Sequence, residues 1–439
     1  SMINQLVDVQ AVEVLRGPQG TLFGKNSASG AVLLRTVAPS HEQDGFFEAS
    51  FGNLGLLNLS GAFNFSLSDN VAARTTIFSS QRDGFVETNL GEDINDRNRS
   101  GIRQQFLYTP SDTLSVRVIA DYSKLDEVCC AALAHKDSII ASGRTDGGAP
   151  VFGSDAILTQ LGGTTFSSGT AVNRQVALNS LPDSSATDSG LSVHITKDFE
   201  NSIFTSVTAI RNFDVSDRTD TDFTDTDLAT RVSASDQSAF SQEFRIASDS
   251  DGPFQYQVGG YFFSQDMSSR EDLTLGAALS PYSVAASPDV LGALIENTSP
   301  ALLGFINLAY GTSLGTTLAA PIAAGNVIQD RGEQSHTSSA VFGEVDFSIS
   351  DSLTLNAGIR YTKENKDLVS TFSESEVTPG ANDLNVTAIT AALGIAGNQA
   401  LAAQYAGCLG TGAPAATCGS LFPFDANLAG LNAAPFIPA

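Results

Sequence analysis

The connections between the β-prone segments of this chain alternate between tight turns and long segments. From residue 45 onward we count eleven runs in which apolar residues alternate with small or polar ones. Tight turns rich in Ser, Asp, Asn and Pro fall near residues 69, 111, 200, 251 and 351. The long connections span 84–98, 128–186, 216–237, 271–336 and 368–439.

This alternation predicts an all-β fold, a transmembrane antiparallel β-barrel. In an antiparallel meander every second connection lies on the same side of the sheet. One side therefore has only tight turns and the other only long loops, which is typical of outer-membrane barrels. Most of the runs are also close to the roughly 9–11 residues that a tilted strand needs to cross a bilayer.

The two faces of the expected strands differ in polarity. Residues of one parity in the run 353–361 are apolar or aromatic, and those of the other parity include Asn356 and Arg360. Successive side chains of a strand point to opposite faces, so the pattern predicts a polar lumen and a lipid-facing exterior. A half-exposed sheet of a soluble secreted binding or adhesion protein would alternate in the same way, and only the sorting of the connections separates the two hypotheses.

Composition narrows the possible partners of the chain. The 439 residues carry a formal net charge of −25, and charged residues make up 16% of them. No basic face is available to neutralise phosphates, so we expect no binding to nucleic acid. The first residues contain no basic segment followed by an apolar run, as a secretory signal would. Because residue 12 already lies in an expected strand, we expect that sequence is missing before residue 1.

The stretch "VEVLRGPQGTLFGKNSASGAVLLRT" is rich in glycine but does not match a nucleotide-binding loop. A P-loop requires a hydroxyl residue after its Gly-Lys pair, whereas Asn26 follows Lys25, and Gly-x-Gly-x-x-Gly does not occur. What remains is a strand at 12–15, a connection punctuated by Gly, Pro and Asn, and a second strand at 31–37.

The same stretch resembles the end of the plug domain of TonB-dependent outer-membrane receptors, which carry the signature E-V-L-R-G-P-x-x-x-L-Y-G. The match covers 12–18 without a gap and continues at Leu22 and Gly24, with Phe23 in place of Tyr. The runs "SQEFRIAS" and "AVFGEVDFSISDSLTLNAGIRYTKE" are similar to hairpins of the same family's barrel. The residues of the plug motif are Glu13, Arg16, Gly17, Pro18, Gly20 and Gly24.

The resemblance implies a domain organisation and a function. Residues 1–40 would be the C-terminal part of a plug, and 41–439 would hold about 11 strands of a 22-strand barrel. The protein would import a scarce ligand across the outer membrane of a Gram-negative bacterium, driven by the TonB complex, without cofactor or bond chemistry. A ferric siderophore is the expected ligand, with cobalamin, haem or an oligosaccharide as alternatives.

The resemblance also suggests how the plug is held, because plug arginines in this family pair with acids of the barrel wall. Arg16 follows the first plug strand, and by parity Glu243 and Glu344 face the lumen. We therefore expect Arg16 to bridge to Glu243, Glu344 or both. In the alternative, the two glutamates pair with neighbouring lumen residues such as Arg245 and Arg360.

Four cysteines suggest disulfides in an oxidising compartment. Cys408 and Cys418 flank a short Gly/Ala/Pro-rich stretch and are expected to form a loop disulfide. The adjacent Cys129 and Cys130 form either a vicinal pair or bonds to residues elsewhere.

The sequence offers little for metal binding or catalysis. The four histidines are scattered, no Cys-x-x-Cys pair is present, and no nucleophile lies at a suggestive spacing from a base. We therefore expect a non-enzyme. One acidic run is a weak Ca²⁺ candidate, although it lacks the glycine of an EF-hand and a solvated loop is the favoured interpretation. Its carboxylates are Asp220, Asp222, Asp225 and Asp227.

Overall fold

The N-terminal part of the chain forms a separate hairpin. A computed structural model of the chain describes residues 6–375, except 25–26, 134–139, 147–148, 153, 166–172, 251, 280–281, 283–323 and 351. Strand β1 (Val9–Arg16) and strand β2 (Gly30–Thr36) pair antiparallel, and the one-turn helix α1 (Gly20–Phe23) lies between them. We call residues 6–37 the N-terminal hairpin. The strand–turn–strand unit expected from the glycine-rich stretch is thus confirmed.

Most of the remaining described residues belong to one large sheet. In chain order the elements are β3 (Gly45–Phe51), β4 (Leu57–Ser68), β5 (Val71–Arg82), β6 (Glu87–Thr88), β7 (Arg97–Ser111), β8 (Leu114–Glu127), β9 (Ile140–Asp146), β10 (Ala149–Phe152), α2 (Ser154–Gln160), β11 (Gln175–Val176), β12 (Asp183–Phe199), β13 (Ser202–Asp220), β14 (Ala229–Ser248), β15 (Phe254–Leu275), β16 (Val327–Ser350) and β17 (Leu353–Ser375).

Eleven of these strands form a continuous antiparallel meander in the order β3-β4-β5-β7-β8-β12-β13-β14-β15-β16-β17. They coincide with the eleven runs expected from the sequence, and the β-barrel fold class is confirmed. Within the described residues the sheet is open, with β3 and β17 at its edges. No helix in this part of the chain is long and apolar enough to cross a membrane.

Tight turns and long connections are sorted to opposite sides, as expected. The tight turns join β4 to β5, β7 to β8, β12 to β13, β14 to β15 and β16 to β17 on one side, and the long connections join β8 to β12 and β15 to β16 on the other. The strands are longer than expected, however, and β16 has 24 residues. The expected loop 216–237 is mostly strand, because β13 and β14 remain paired up to Asp220 and Thr230. The residues at these strand ends are mostly polar, so no alternation of apolar residues in the sequence indicates that they are paired.

The outer face of the sheet is an apolar belt. Large side chains of one parity are exposed around the whole meander, for example Phe65, Phe106, Ile210, Phe244 and Ile359. An exposed apolar band of this kind is favourable in contact with the hydrocarbon of a bilayer. The opposite, inner face bears polar and charged side chains, so the predicted difference between the two faces is confirmed.

The long connections contain a small hydrophobic core of their own. Val86, Ile94, Val176 and Leu178 are fully or nearly fully buried, and Phe223 packs against them. Strands β6 and β11 add a short parallel pair beside this cluster. Residues from three connections are therefore packed into one layer at the end of the sheet, a feature that alternation within strands does not predict.

The structure decides between the two interpretations of the adjacent cysteines. Cys129 and Cys130 are joined as a vicinal disulfide at the start of the connection 128–182. Cys408 and Cys418 lie outside the described residues, and their pairing remains a prediction.

Candidate functional site: the interface between the N-terminal hairpin and the inner sheet face

The N-terminal hairpin is attached to the inner face of the sheet through a buried carboxylate. Asp8 lies just before β1, and its side chain is only 2% exposed. Arg74 on β5 binds it through two atoms: Nε donates to Oδ2 at 2.9 Å and Nη2 donates to Oδ1 at 2.6 Å. The Thr76 hydroxyl donates to Oδ2 at 2.9 Å. Bidentate contacts between arginine and carboxylate are among the strongest hydrogen bonds in proteins.

Further positive charge surrounds this carboxylate. Arg103 on β7 lies 3.6 Å from Asp8 Oδ2 and donates to the Val7 carbonyl at 3.0 Å. Burial by itself raises the pKa of the Asp8 carboxyl. The hydrogen bonds from Arg74 and Thr76 and the charges of Arg74 and Arg103 outweigh this effect, so the pKa lies below its ordinary value.

A second set of contacts holds the end of the hairpin. Arg117 on β8 donates through Nη2 to the Thr36 hydroxyl at 2.9 Å and to the Val37 carbonyl at 3.3 Å. Gln105 on β7 donates to the same Val37 carbonyl at 3.0 Å. These contacts satisfy backbone carbonyls that would otherwise be buried without partners. The wall formed by β5, β7 and β8, which we call the first wall, therefore binds both ends of the hairpin.

Helix α1 of the hairpin makes a second contact with the inner face of the sheet, at the edge strand β17, which is far from β5, β7 and β8 in the strand order. Arg360 on β17 donates through Nη1 to the carbonyls of Thr21 and Leu22, each at 3.4 Å. Glycines permit this approach: a Cβ on Gly24 would lie 3.1 Å from Arg360 Nη2, and one on Gly358 would lie 2.9 Å from Thr21 Cγ2. Strands β14–β17 form what we call the second wall. Between this wall and α1 lies a cavity of about 380 Å³.

The expected latch between Arg16 and the glutamates is not formed in this structure. Glu243 lies 3.7 Å from Arg245 on its own strand, and Glu344 accepts a hydrogen bond from Asn356 at 2.9 Å. Both glutamates do face inward, but neighbours within the wall satisfy them, while Arg16 is exposed. The attachment has the opposite polarity, because the hairpin supplies the acid, Asp8, and the wall supplies the arginines. Sequence analysis missed Asp8 since it precedes the recognised motif.

The remaining motif residues shape the hairpin, and of these only Gly24 also leaves room for the wall, at Arg360. Glu13 pairs with Arg35 across β1 and β2 at 2.9 Å, with both side chains largely exposed. Pro18 and Gly20 are exposed around the start of α1, and Gly17 follows the last residue of β1. Gly24 ends the helix, and its N–H donates to the Gly20 carbonyl at 3.1 Å. The motif thus builds a compact turn that presents α1 to the second wall.

The acidic run is not arranged as a calcium site. Asp220 is 1% exposed and accepts hydrogen bonds from the backbone N–H groups of Asn179 and Phe223, each at 3.1 Å. Asp222 accepts from the N–H of Thr224 at 3.0 Å. In the described part of the chain, no group of three or more His, Cys, Asp or Glu side chains could hold a metal ion. The expectation of a solvated loop is also wrong for Asp220, which is buried and organises the turn.

Burial of Asp220 predicts a pH-dependent loop. The residue is the last of β13, far from the tight-turn side and beyond the bilayer-crossing part of the strand. Burial, and then the nearby Asp222, raise the pKa of Asp220 to about 6. A raised carboxyl pKa favours the protonated folded state, so stability is highest below about pH 4 and declines as the pH rises to 6. The loss is about 3 kcal/mol for a shift of about two units.

We expect Asp220→Asn to abolish this pH dependence. Hydrogen-exchange protection of residues 221–229, corrected for intrinsic rates, should fall between pH 4 and pH 6 in the unmodified protein and stay constant in the variant. Asp227→Asn is the matched control, because Asp227 is exposed in the same loop. It accepts hydrogen bonds from the Asn179 side chain at 3.2 Å and from the Ala277 N–H at 2.9 Å, so its replacement should lower protection at most by a constant amount and preserve the dependence on pH. Identical profiles for the unmodified protein and Asp220→Asn would contradict the assignment.

Comparisons with known proteins agree with the geometry of the chain. No protein-family model matches it. A stretch of 46 residues, 10% of this chain, is 48% identical to the pesticin receptor of Yersinia pestis and covers 7% of that receptor. The pesticin receptor of Yersinia enterocolitica matches over the same length with the same identity.

Solved structures match over most of the chain. The ferric yersiniabactin uptake receptor FyuA from Yersinia pestis has a TM-score of 0.58 at 13% identity, over 84% of this chain and 48% of that one. FpvAI in its complex with pyocin S2 has a TM-score of 0.50 at 12% identity, over 83% of this chain and 42% of that one. The chain thus spans about half the length of these solved proteins.

Proposed function

We propose that this chain, which has the fold of the TonB-dependent siderophore receptors, serves the active import of a ferric siderophore across the outer membrane of a Gram-negative bacterium. One observation carries the proposal: an element docked on the inner face of the sheet is bound there by the buried pair of Asp8 and Arg74. A pore for passive diffusion has no need of such an element. A docked plug must be moved for passage, and the TonB complex is the partner that would supply the energy.

The proposal assigns roles to the two parts of the chain. Residues 1–40 act as the C-terminal part of the plug, and 41–439 contribute the N-terminal half of the barrel and its extracellular loops. The packed connections around Val86 and Leu178 lie on the side of the long loops, where a ligand from outside would arrive first. The protein binds and moves its ligand and performs no bond chemistry.

The structure disfavours the hypothesis of a soluble secreted binding protein. Ile359 on the outer face is 78% exposed, and Leu355 on the same strand and Val341 on the neighbouring strand are also exposed. A contiguous apolar surface of this extent is unfavourable in water and favourable in lipid. Cobalamin, haem and oligosaccharides remain the alternative ligands within the same type of receptor, and the net charge of −25 gives no basic funnel that would select anions.

The proposed function predicts energy-dependent iron uptake. Cells with the gene deleted should lose uptake of radioactive iron supplied in spent medium from an iron-starved culture, and the intact gene should restore it. A protonophore should stop uptake while cell-surface binding persists, because only transport draws on the proton gradient.

Growth tests with haem, cobalamin or an oligosaccharide as the limiting nutrient are the controls for ligand class. If the deletion impairs growth on one of these and leaves iron uptake intact, the siderophore assignment is wrong. Uptake that continues in the presence of the protonophore would exclude TonB-driven transport.

A further inference from the structure

The two walls hold the N-terminal hairpin in different ways. At the first wall, Asp8 and Arg74 form a buried bidentate pair. Gln105 and Arg117 donate to the Val37 carbonyl at 3.0 and 3.3 Å, and Arg117 also donates to the Thr36 hydroxyl at 2.9 Å. At the second wall, Arg360 makes two hydrogen bonds of 3.4 Å to carbonyls of α1. Long hydrogen bonds from one side chain are weaker than short charge-assisted ones in a buried network. A force on the hairpin therefore separates it first from the second wall.

The weaker contact borders the cavity of about 380 Å³. Aromatic rings line it from both sides, with Phe23 on the hairpin and with Tyr261 and Phe263 on the wall. The rings of Tyr261 and Phe263 are nearly parallel, with centroids 6.5 Å apart. Ser338 and Glu364 add polar atoms to the lining. The volume lies at the lower end of the range of small-molecule pockets, roughly 300–1,000 Å³.

Arg360 connects the contact to the cavity. Its guanidinium lies 5.2 Å from the ring centroid of Phe342 and 6.0 Å from that of Tyr261. The stacking keeps the arginine against the wall when α1 moves away, because these ring contacts do not depend on the hairpin. The released guanidinium and the aromatic rings would then face the enlarged space.

We propose that the imported ligand passes along the second wall, through this cavity, while the hairpin remains attached to the first wall. The proposal rests on the import function proposed above and specifies its route. The cavity is a transit site for a small molecule with aromatic or apolar faces, which stack on Tyr261 and Phe263 while Arg360 binds its polar edge.

Two matched cysteine variants test the route. Ser338 lines the cavity at the second wall and is 4% exposed, and Thr76 lies under Asp8 at the first wall and is 3% exposed. Ser338→Cys and Thr76→Cys are introduced singly into the full-length protein. Energised cells in spent medium from an iron-starved culture are treated with a biotin maleimide, with and without a protonophore, and the unmodified protein is the blank.

We expect Ser338→Cys to be labelled at least tenfold faster in energised cells than with the protonophore, and Thr76→Cys to stay unlabelled in both. Thr76→Cys also removes the hydrogen bond from the Thr76 hydroxyl to Asp8, which weakens the first wall and would favour labelling there. A lack of labelling at this position is therefore strong support for the proposal. Faster labelling of Thr76→Cys overturns the route alone. No effect of energy at either position overturns both the route and the TonB-driven function.

A second pair of variants tests passage itself. Ser338→Phe places a ring in the cavity, whereas Ser339→Phe places the same ring on the outer face of the same strand, opposite Phe262. We expect the first variant to lower uptake of radioactive iron from the spent medium at least tenfold with unchanged surface binding, and the second to transport normally. Both barrels are checked for heat-modifiable migration. Normal uptake by an assembled Ser338→Phe barrel overturns the proposal.

Discussion

Replacing Asp8 with alanine is expected to release the N-terminal hairpin from the first wall. The change removes the buried partner of Arg74, which is 4% exposed, and leaves it only the exposed Asp44, 3.0 Å from Nη1. Removing one member of a buried ion pair costs about 3–5 kcal/mol. In hydrogen exchange of the purified protein in detergent, amides of β1 and β2 should lose protection by about a hundredfold or more. The pKa of Asp8 lies below its ordinary value, so the attachment is intact at neutral pH and is lost only below about pH 4.

Glu13→Ala is the matched control for this result. Glu13 also forms an ion pair, with Arg35, but the side chains are 42% and 62% exposed, and such pairs contribute at most about 1 kcal/mol. The double variant Asp8→Ala/Arg74→Met should recover part of the loss, because it removes a buried charge that only the exposed Asp44 would still compensate. Equal effects of Asp8→Ala and Glu13→Ala would show that the buried pair does not hold the hairpin.

The sheet could be predicted from the sequence because its determinants are local. Alternation with period two fixes which side chains face lipid, and Asp69, Asn70 and Asn201 mark two of the tight turns. Each strand of the meander pairs with its neighbour in sequence, apart from short elements within the long connections. The order of the eleven strands can therefore be obtained without information on contacts between residues that are distant in sequence.

The attachment of the hairpin could not be predicted, because its contacts are distant in sequence. Asp8 and Arg74 are 66 residues apart, and Arg360 lies 339 residues beyond Thr21. The alternation of side chains along a strand places Glu243 and Glu344 on the inner face. It does not show whether they lie level with Arg16, or whether neighbouring side chains in the wall bind them first. Arg245 and Asn356 are those neighbours, and they bind the two glutamates within the wall.

The burial of Asp220 could not be predicted for a related reason. Five aspartates between 217 and 227 suggest a solvated segment by composition alone. Continuous pairing of β13 with β14 carries Asp220 to the edge of the packed connections, where Asn179 and Phe223 donate backbone hydrogen bonds to it. Satisfying buried N–H groups gives a carboxylate a structural role that a charge pattern does not reveal.

Replacing Gly30 with alanine is expected to disrupt the N-terminal hairpin where β2 begins. Gly30 has φ of +141° and pairs with Arg16, the last residue of β1. A Cβ at this position would lie 2.2 Å from the Leu15 carbonyl oxygen, which is backbone and cannot rotate away. The unfavourable φ alone costs about 1–3 kcal/mol, and the steric overlap adds to it. Hydrogen exchange should show protection lost along β1 and β2.

Gly20→Ala gives the matched control within the same hairpin. No atom lies within 4 Å of the position that its Cβ would occupy, and alanine favours helix over glycine by up to about 1 kcal/mol in α1. This variant should keep or slightly increase protection. If Gly30→Ala retains protection equal to that of Gly20→Ala, the register of β1 and β2 is wrong. If protection falls in β1 and β2 but Asp8 remains bound to Arg74, the pair at the first wall holds its end of the hairpin independently of the turn.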